Sequence, residues 1–407
     1  MEMNSILLLV DSEVGHILPT LKLARDLSDF GFEVNFAGPG IGRSFVQKQG
    51  FVYHEVFKDV LTMDSKKDGM AGNHYHSILM GGLDDLFERL RPKVVLFSSY
   101  MVLEGLILQY MYDGKFVIYC PSFLHGANEK ELTISGILVN NSLKSFFDLS
   151  GDLPQRILRL ASRKMGSING FKEIFSPIAI MSKIVCCPQE LRIGGFLKEA
   201  NVIYDGPGIL EESISDFNLD QILPHDKKLI YVSMGSQIKR YPEKVNKIFG
   251  MTLKCMELPE LQDFHLFLTL GGSNVSDWGL DQTGENVSTF DWLPQKEVLT
   301  KASIAIIHGG LGSIKECIFQ GVPMLVVPMG RDQNDNALRV AHHKLGQQLD
   351  IDALTINELK EQIVYLTQSK DIQEHMESME AVFQKKNSTS PGANYIKNLI
   401  LLPTRYT

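Results

Sequence analysis

The chain has 407 residues, enough for two or three domains, and its 44% hydrophobic and 22% charged content excludes a disordered or fibrous protein. Forty basic residues against 48 acidic ones give a formal charge of −8, so a coat on nucleic acid is not expected. Five cysteines, two of them adjacent at Cys186 and Cys187, form neither a disulfide framework nor a zinc spacing.

Taken in chain order, residues 6–10 are a continuous apolar run, expected as a strand buried on both faces. A glycine-containing loop over 11–15 follows. Leu18, Leu21, Leu23, Ala24 and Leu27 then recur at helical spacing, Gly31 closes the helix, and 33–37 resumes as a strand. This is a βαβ unit of a parallel sheet. Residues 94–97, 116–119 and 179–186 read as further strands, with a helix over 103–112. A linker is expected at 204–228, where Gly206, Pro207, Gly208 and Pro224 cluster with acids.

A second series follows. Strands are expected at 229–233, 264–270, 303–307 and 324–327, and helices at 242–257 and 313–319. The tail reads as a charged helix over 372–386, a break at 387–391, and a last helix over 393–401. The expected division is residues 1–203, a linker at 204–228, residues 229–385, and a tail at 386–407 that packs back on the first domain. Apolar runs such as 6–10 and 399–402 fall far short of the roughly 20 residues that span a bilayer. The amino-terminal residues lack a basic n-region and a cleavage site, so the expected location is the cytoplasm.

The chemistry concentrates between Phe290 and Asn336. A strand ends at Ile307, and His308-Gly309-Gly310-Leu311-Gly312-Ser313 then opens a helix. Glycines let backbone approach a ligand closely, and a helix amino terminus offers free N–H groups to a phosphate. Ser313 adds a hydroxyl and His308 an imidazole. Glu316 lies three residues past Ser313, on the same helix face, where a carboxylate can accept from both hydroxyls of a ribose. Trp292 offers a flat face to a base. Each feature alone also has a plain structural reading, as a tight turn, a core indole or a solvated acid. Their order and spacing carry the argument.

That order resembles the donor signature of the UDP-glycosyltransferases, glycosyltransferase family 1. The family pattern is Trp-x-Pro-Gln, His-x-Gly-x-Gly-Ser-x-x-Glu, Pro, and Asp-Gln-x-x-Asn. It is met here by Trp292-Leu293-Pro294-Gln295, the 308–316 stretch, Pro323 and Asp332-Gln333-Asn334-Asp335-Asn336. Gly15-His16-Ile17-Leu18-Pro19 is similar to the family's first-loop motif. The pattern is nearest that of bacterial enzymes acting on natural products such as macrolides and flavonoids. The resemblance implies an α/β protein of the GT-B fold: two Rossmann-like domains whose parallel sheets face each other across a cleft. It implies an inverting transfer, glucose from UDP-glucose being the first expectation and a TDP-sugar the alternative. By the same resemblance Trp292 stacks on the base and Gln295 contacts base or ribose. His308, Gly310, Leu311, Gly312 and Ser313 hold the diphosphate, and Glu316 holds the ribose. Asp332 and Gln333 bind the sugar, Asn336 supports the phosphates or the loop, and Gly235 and Ser236 approach from the other side.

His16 is the candidate general base, because a histidine side chain titrates near about 6.5 in isolation. The family places an aspartate near the end of a strand about a hundred residues in, to orient that histidine. Here Ser98 stands at this position. Three explanations are open: Asp11 substitutes, the acceptor is acidic enough to need little base, or the protein is a weak or inactive homologue. No Asp-x-Asp motif lies near the donor loop, so neither metal nor cofactor is expected beyond the nucleotide sugar itself.

The expected partners are a nucleotide sugar and a small hydrophobic acceptor, with Met63, Met80, Phe123 and Phe146 as acceptor-side candidates. The basic stretch 155–166 leaves a contact with an anionic membrane or a carrier protein open. A monomer or weak dimer is expected. Two competing readings are a GT-B nucleotide-sugar epimerase and a non-catalytic auxiliary homologue. Epimerases usually lack the Trp-x-Pro-Gln and Asp-Gln-x-x-Asn pairing, and the auxiliary reading rests only on the missing aspartate.

Overall fold

The computed structural model describes residues 4–57, 73–124, 133–168, 170–194, 199–211, 219–236, 238–280 and 284–401. Its first sheet contains β1 (Ser5–Leu9), β2 (Glu33–Gly38), β3 (Val52–Glu55), β4 (Val94–Ser98), β5 (Lys115–Cys120), β6 (Ser182–Val185) and β7 (Val202–Tyr204). These strands are parallel and lie in the order β3-β2-β1-β4-β5-β6-β7. The second sheet contains β8 (Lys228–Ser233), β9 (Phe264–Thr269), β10 (Val287–Phe290), β11 (Ala302–Ile307), β12 (Met324–Val326) and β13 (Gly346–Gln348). It too is parallel, in the order β10-β9-β8-β11-β12-β13.

The apolar runs form the central strands because helices cover both faces of each sheet. Every residue of β1, β4 and β9 is buried, as a parallel sheet requires. Strand order reverses beside β1 in the first sheet and beside β8 in the second. β1 pairs with both β2 and β4, with Leu9 opposite Ala37 and Phe97. β8 pairs with both β9 and β11, with Ser233 opposite Thr269 and Ile307. Loops leaving the carboxyl ends of such strands diverge and open a crevice, which is where open α/β sheets bind ligands.

Several boundaries differ from the sequence reading. The run 179–186 is not one strand: helix Ser176–Ile180 ends first and β6 starts at Ser182. Apolar continuity cannot separate a buried helix end from a strand, and Pro177 sits at the helix start. Short strands β3, β7, β10 and β13 were not expected; at three or four residues each they are too short for a readable period. Helix Val14–Asp29 begins before the expected loop ends, so Gly15 and His16 are helical. Helix Leu311–Phe319 likewise starts two residues before Ser313.

Tyr204 and Lys228 close β7 and open β8, so the connecting segment is shorter than 204–228. Its start is pinned at Ile209. Asn387 donates to the Ile209 carbonyl and accepts from the Ile209 N–H, both at 3.0 Å. Helix Lys370–Thr389 runs through 387–389, and the break narrows to Ser390 at φ +44°. Helix Pro391–Leu401 then lies on the first domain, with Ala393 and Ile396 buried in the core beside helix Val14–Asp29. Ser390 donates to Asp26 at 2.6 Å, and the Gly392 N–H donates to buried Asp205 at 2.9 Å. A fully buried isoleucine alone contributes about 1.5–3 kcal/mol. All five cysteines are buried and free. Among the described residues, no helix is long and apolar enough to cross a membrane.

Candidate active site

The turn after β1 places Asp11, and the first turn of helix Val14–Asp29 places His16. His16 Nδ1 lies 2.9 and 3.0 Å from the two Asp11 carboxylate oxygens. The same carboxylate accepts the Glu13 N–H at 2.9 Å and the Ser98 hydroxyl at 2.6 Å. Ser98 in turn accepts the Tyr100 N–H at 3.2 Å. Ser98 contacts Asp11, and the Asp11 carboxylate reaches His16 from the end of the adjacent strand. Of the three explanations the missing aspartate left open, substitution by Asp11 is the one whose contacts are present.

Tyr100 stacks on His16, with ring centroids 4.2 Å apart and planes 11° off parallel. Nδ1–H then donates to Asp11 and Nε2 carries the lone pair, so the ring is held in one tautomer and one plane. Nothing in the sequence marked Tyr100, because its role depends on the turn after β4 folding back over helix Val14–Asp29.

On the second domain, β11 delivers His308 at the mouth of the glycine-rich loop. The ring lies between Gly235, at φ +76°, and Gly310. A Cβ on Gly235 would stand 2.6 Å from His308 Cε1, and one on Gly310 would stand 2.5 Å from Nε2. Glycine is required at both positions by space, and at Gly235 by backbone conformation as well. Gly235→Ala is accordingly expected to weaken nucleotide binding at least tenfold and to cost about 1–3 kcal/mol of stability. Calorimetric titration with UDP and a denaturant melt would measure the two.

Burial pulls the His308 pKa down to about 4, against a nearby Asp332 charge and a backbone hydrogen bond at Ser233 that act the other way. The ring is neutral at pH 7. Its folded value lies below its unfolded one, so the stabilisation is complete above about pH 6.5 and is lost as pH falls toward 4. The loss is at most about 3 kcal/mol. His308→Gln is expected to flatten that acid slope in unfolding free energy measured from pH 7 to pH 4.

Helix Leu311–Phe319 starts directly after the glycine-rich loop, with Gly310 as its cap residue and no side-chain cap hydrogen bond, so its first N–H groups are left for a ligand or water. Gln295 Nε2 donates to Ser313 Oγ at 3.2 Å and to Glu316 Oε2 at 2.5 Å, while its carbonyl accepts the Tyr231 hydroxyl at 3.2 Å. Burial raises the Glu316 pKa, and the Gln295 hydrogen bond opposes this. Gln295, Ser313 and Glu316 are thus one preassembled cluster. Trp292 is 68% exposed, so it is not a core indole and its face is open.

Gln333 is buried, and its carbonyl accepts the Met329 and Gly330 N–H groups at 2.7 and 3.1 Å. Asn336 donates to the Gly309 carbonyl and to Asp332, both at 3.0 Å. Asn336 therefore ties the loop carrying Asp332 to the glycine-rich loop, with Arg339 donating to its carbonyl at 3.1 Å. Ser236 borders a small hollow with Lys239, Arg240, Gly271 and Gly272.

The two halves meet. Arg331, held at φ +59° beside Asp332, faces Glu13 across the crevice at 3.8 Å. Lys315, buried on helix Leu311–Phe319, donates to the Cys186 carbonyl of the first domain at 2.9 Å. Neither contact was foreseen, since each joins residues from different domains.

The acceptor-side candidates separate. Phe146 is a core residue, 2% exposed and packed edge-on against Phe175, so it lines no pocket. Phe123 is buried with the Arg339 guanidinium 4.7 Å over its ring. Met80 is exposed on the surface. Met63 lies outside the described residues. Among the described residues no group of three His, Cys, Asp or Glu is arranged to hold a metal ion.

Residues 224–386 match the family model described as UDP-glucoronosyl and UDP-glucosyl transferase. The chain is 23% identical over 374 residues to an NDP-glycosyltransferase, YjiC, of Bacillus subtilis (strain 168), covering 90% of each chain. Its fold is that of a solved glycotransferase of kitacinnamycin, with a TM-score of 0.75 and 21% identity over 98% of this chain and 99% of that one. The calicheamicin glycosyltransferase CalG4 superposes with a TM-score of 0.71 and 19% identity, over 99% and 100%.

Proposed function

Because its second domain belongs to the UDP-glucuronosyl and UDP-glucosyl transferase family, on a two-domain GT-B fold, we propose that this chain transfers a sugar from a nucleotide diphosphate to a hydroxyl of a small hydrophobic acceptor. UDP-glucose is the proposed donor. The observation that carries the reading is the His16–Asp11 pair, at 2.9 Å, beside the strand-order reversal of one sheet. The glycine-rich loop occupies the matching place on the other.

In the proposed step His16 Nε2 removes the acceptor's proton as its oxygen attacks the anomeric carbon. The new C–O bond forms on the face opposite the diphosphate, so configuration inverts. The anomeric C–O bond breaks and its electron pair leaves with UDP. The proton stays on His16, where Asp11 balances the charge. Charge on the departing diphosphate meets the N–H groups of residues 311–313, the Ser313 hydroxyl and the neutral His308 ring. Preorganised donors at a helix terminus can do this without a metal ion. The name of one structural neighbour supports a natural-product acceptor: CalG4 is described as the calicheamicin glycosyltransferase, while YjiC is described only as an NDP-glycosyltransferase.

The test is UDP release from UDP-glucose with and without a phenolic acceptor, in chelator. Release that requires acceptor, with a glycosylated product by mass spectrometry, is the expected result. Thermal protection by UDP with no product on any acceptor would overturn it in favour of a binding protein.

A further inference from the structure

Helix Leu153–Met165 carries Arg156, Arg159, Arg163 and Lys164 and no acidic residue, in a chain whose formal charge is −8. The three arginines recur at i, i+3 and i+7, which sets them on one stripe of the helix surface. The opposite side, Leu153, Ile157 and Ala161, is buried in the first domain. Lys164 is paired with Asp113 at 2.7 Å. Arg159 and Arg163 have no acidic partner among the described residues, and Arg156 contacts the Met80 sulfur at 2.9 Å. The helix dipole favours cations at the carboxyl end and so accounts for Arg163, but it opposes Arg156 near the amino end.

A second feature brackets the same helix along the chain. Phe147 stands six residues before it and Phe171 six residues after it. They touch each other, with centroids 6.2 Å apart, yet they are 68% and 50% exposed. Met80 and Met165 are exposed as well. An acidic protein would match the arginines and leave the phenylalanine pair unexplained. A lipid surface matches both, with guanidinium groups at anionic headgroups and aromatic rings at the acyl boundary.

We propose that this face, the Arg156–Arg159–Arg163 stripe with the Phe147–Phe171 pair, docks the protein on an anionic phospholipid bilayer. The remainder of the chain is more acidic than the whole, so the same membrane repels it and fixes the orientation. Hydrophobic acceptors partition into such a membrane, and the docked face belongs to the first domain. Docking of this face involves no residue of the proposed transfer chemistry.

The experiment is co-sedimentation of the full chain with vesicles of phosphatidylcholine alone and with about a third phosphatidylglycerol. Several-fold more protein on the anionic vesicles, weakening at high salt, is expected. Arg159→Glu with Arg163→Glu is expected to lower the anionic-vesicle binding at least tenfold. Phe147→Ser with Phe171→Ser is expected to lower it several-fold and to remove the salt-resistant part. Both double variants must keep the wild-type circular dichroism and melting temperature to count. Equal binding to the two vesicle types would overturn the proposal, as would undiminished binding by the arginine variant. Binding to polyglutamate without binding to vesicles would overturn it in favour of an acidic protein.

Discussion

His16→Ala is expected to lower the rate of sugar transfer to a simple alcohol about a hundred- to ten-thousand-fold, the range spanned by a positioned general base. UDP affinity should stay within about twofold, because the nucleotide cluster of Gln295, Ser313 and Glu316 lies in the other domain. The loss should shrink as the acceptor becomes more acidic. A nitrophenol is already ionised near neutral pH and has no proton for the base to remove. Steady-state rates over a series of phenols, with UDP titration calorimetry on the same preparation, measure both quantities. An equal loss for every phenol would make His16 structural. A loss of UDP affinity would place it on the donor.

Asp11→Asn should come close to the same loss. The carboxylate accepts from His16 Nδ1 at 2.9 and 3.0 Å, so it selects the tautomer with a basic Nε2 and offsets the imidazolium that forms. An amide supplies no charge, and its NH2 can force the wrong tautomer. In the serine hydrolases the equivalent change costs about ten-thousand-fold. The informative partner is Ser98, whose hydroxyl lies 2.6 Å from Asp11. Ser98→Asp alone sets two carboxylates side by side and should reduce activity through repulsion. In the Asp11→Asn background the same change returns a carboxylate to the neighbouring strand end and is expected to recover at least tenfold of the lost rate. No recovery, with folding intact by circular dichroism, would show that Ser98 acts only on the shape of the turn.

The proposed donor side was the most legible in the sequence because its residues are local. A strand, a glycine-rich loop and a helix follow one another within fifty residues. Spacing along the chain is therefore spacing in space, from Trp292 to Asn336. The buried strands at 6–10 and 229–233 were legible for a similar reason, since a parallel strand covered on both faces needs an uninterrupted apolar run. The short edge strands were not, and neither was Phe146. Its apolar character said only that it would be buried somewhere, and it is buried in the core rather than in an acceptor pocket.

By itself, then, the sequence determined the α/β architecture and pointed to the glycine-rich loop and His16 as candidate site residues. Tertiary structure alone decided which carboxylate contacts His16, that burial keeps His308 neutral, and that the last helix closes on the first domain. Asp11 and Ser98 are 87 residues apart, and they meet because β1 pairs in register with β4, Leu9 opposite Phe97. Hydrophobic periodicity records which face of an element is buried. It carries no record of which strand lies beside which, and a partner contributed by a neighbouring strand becomes visible only once the sheet is assembled.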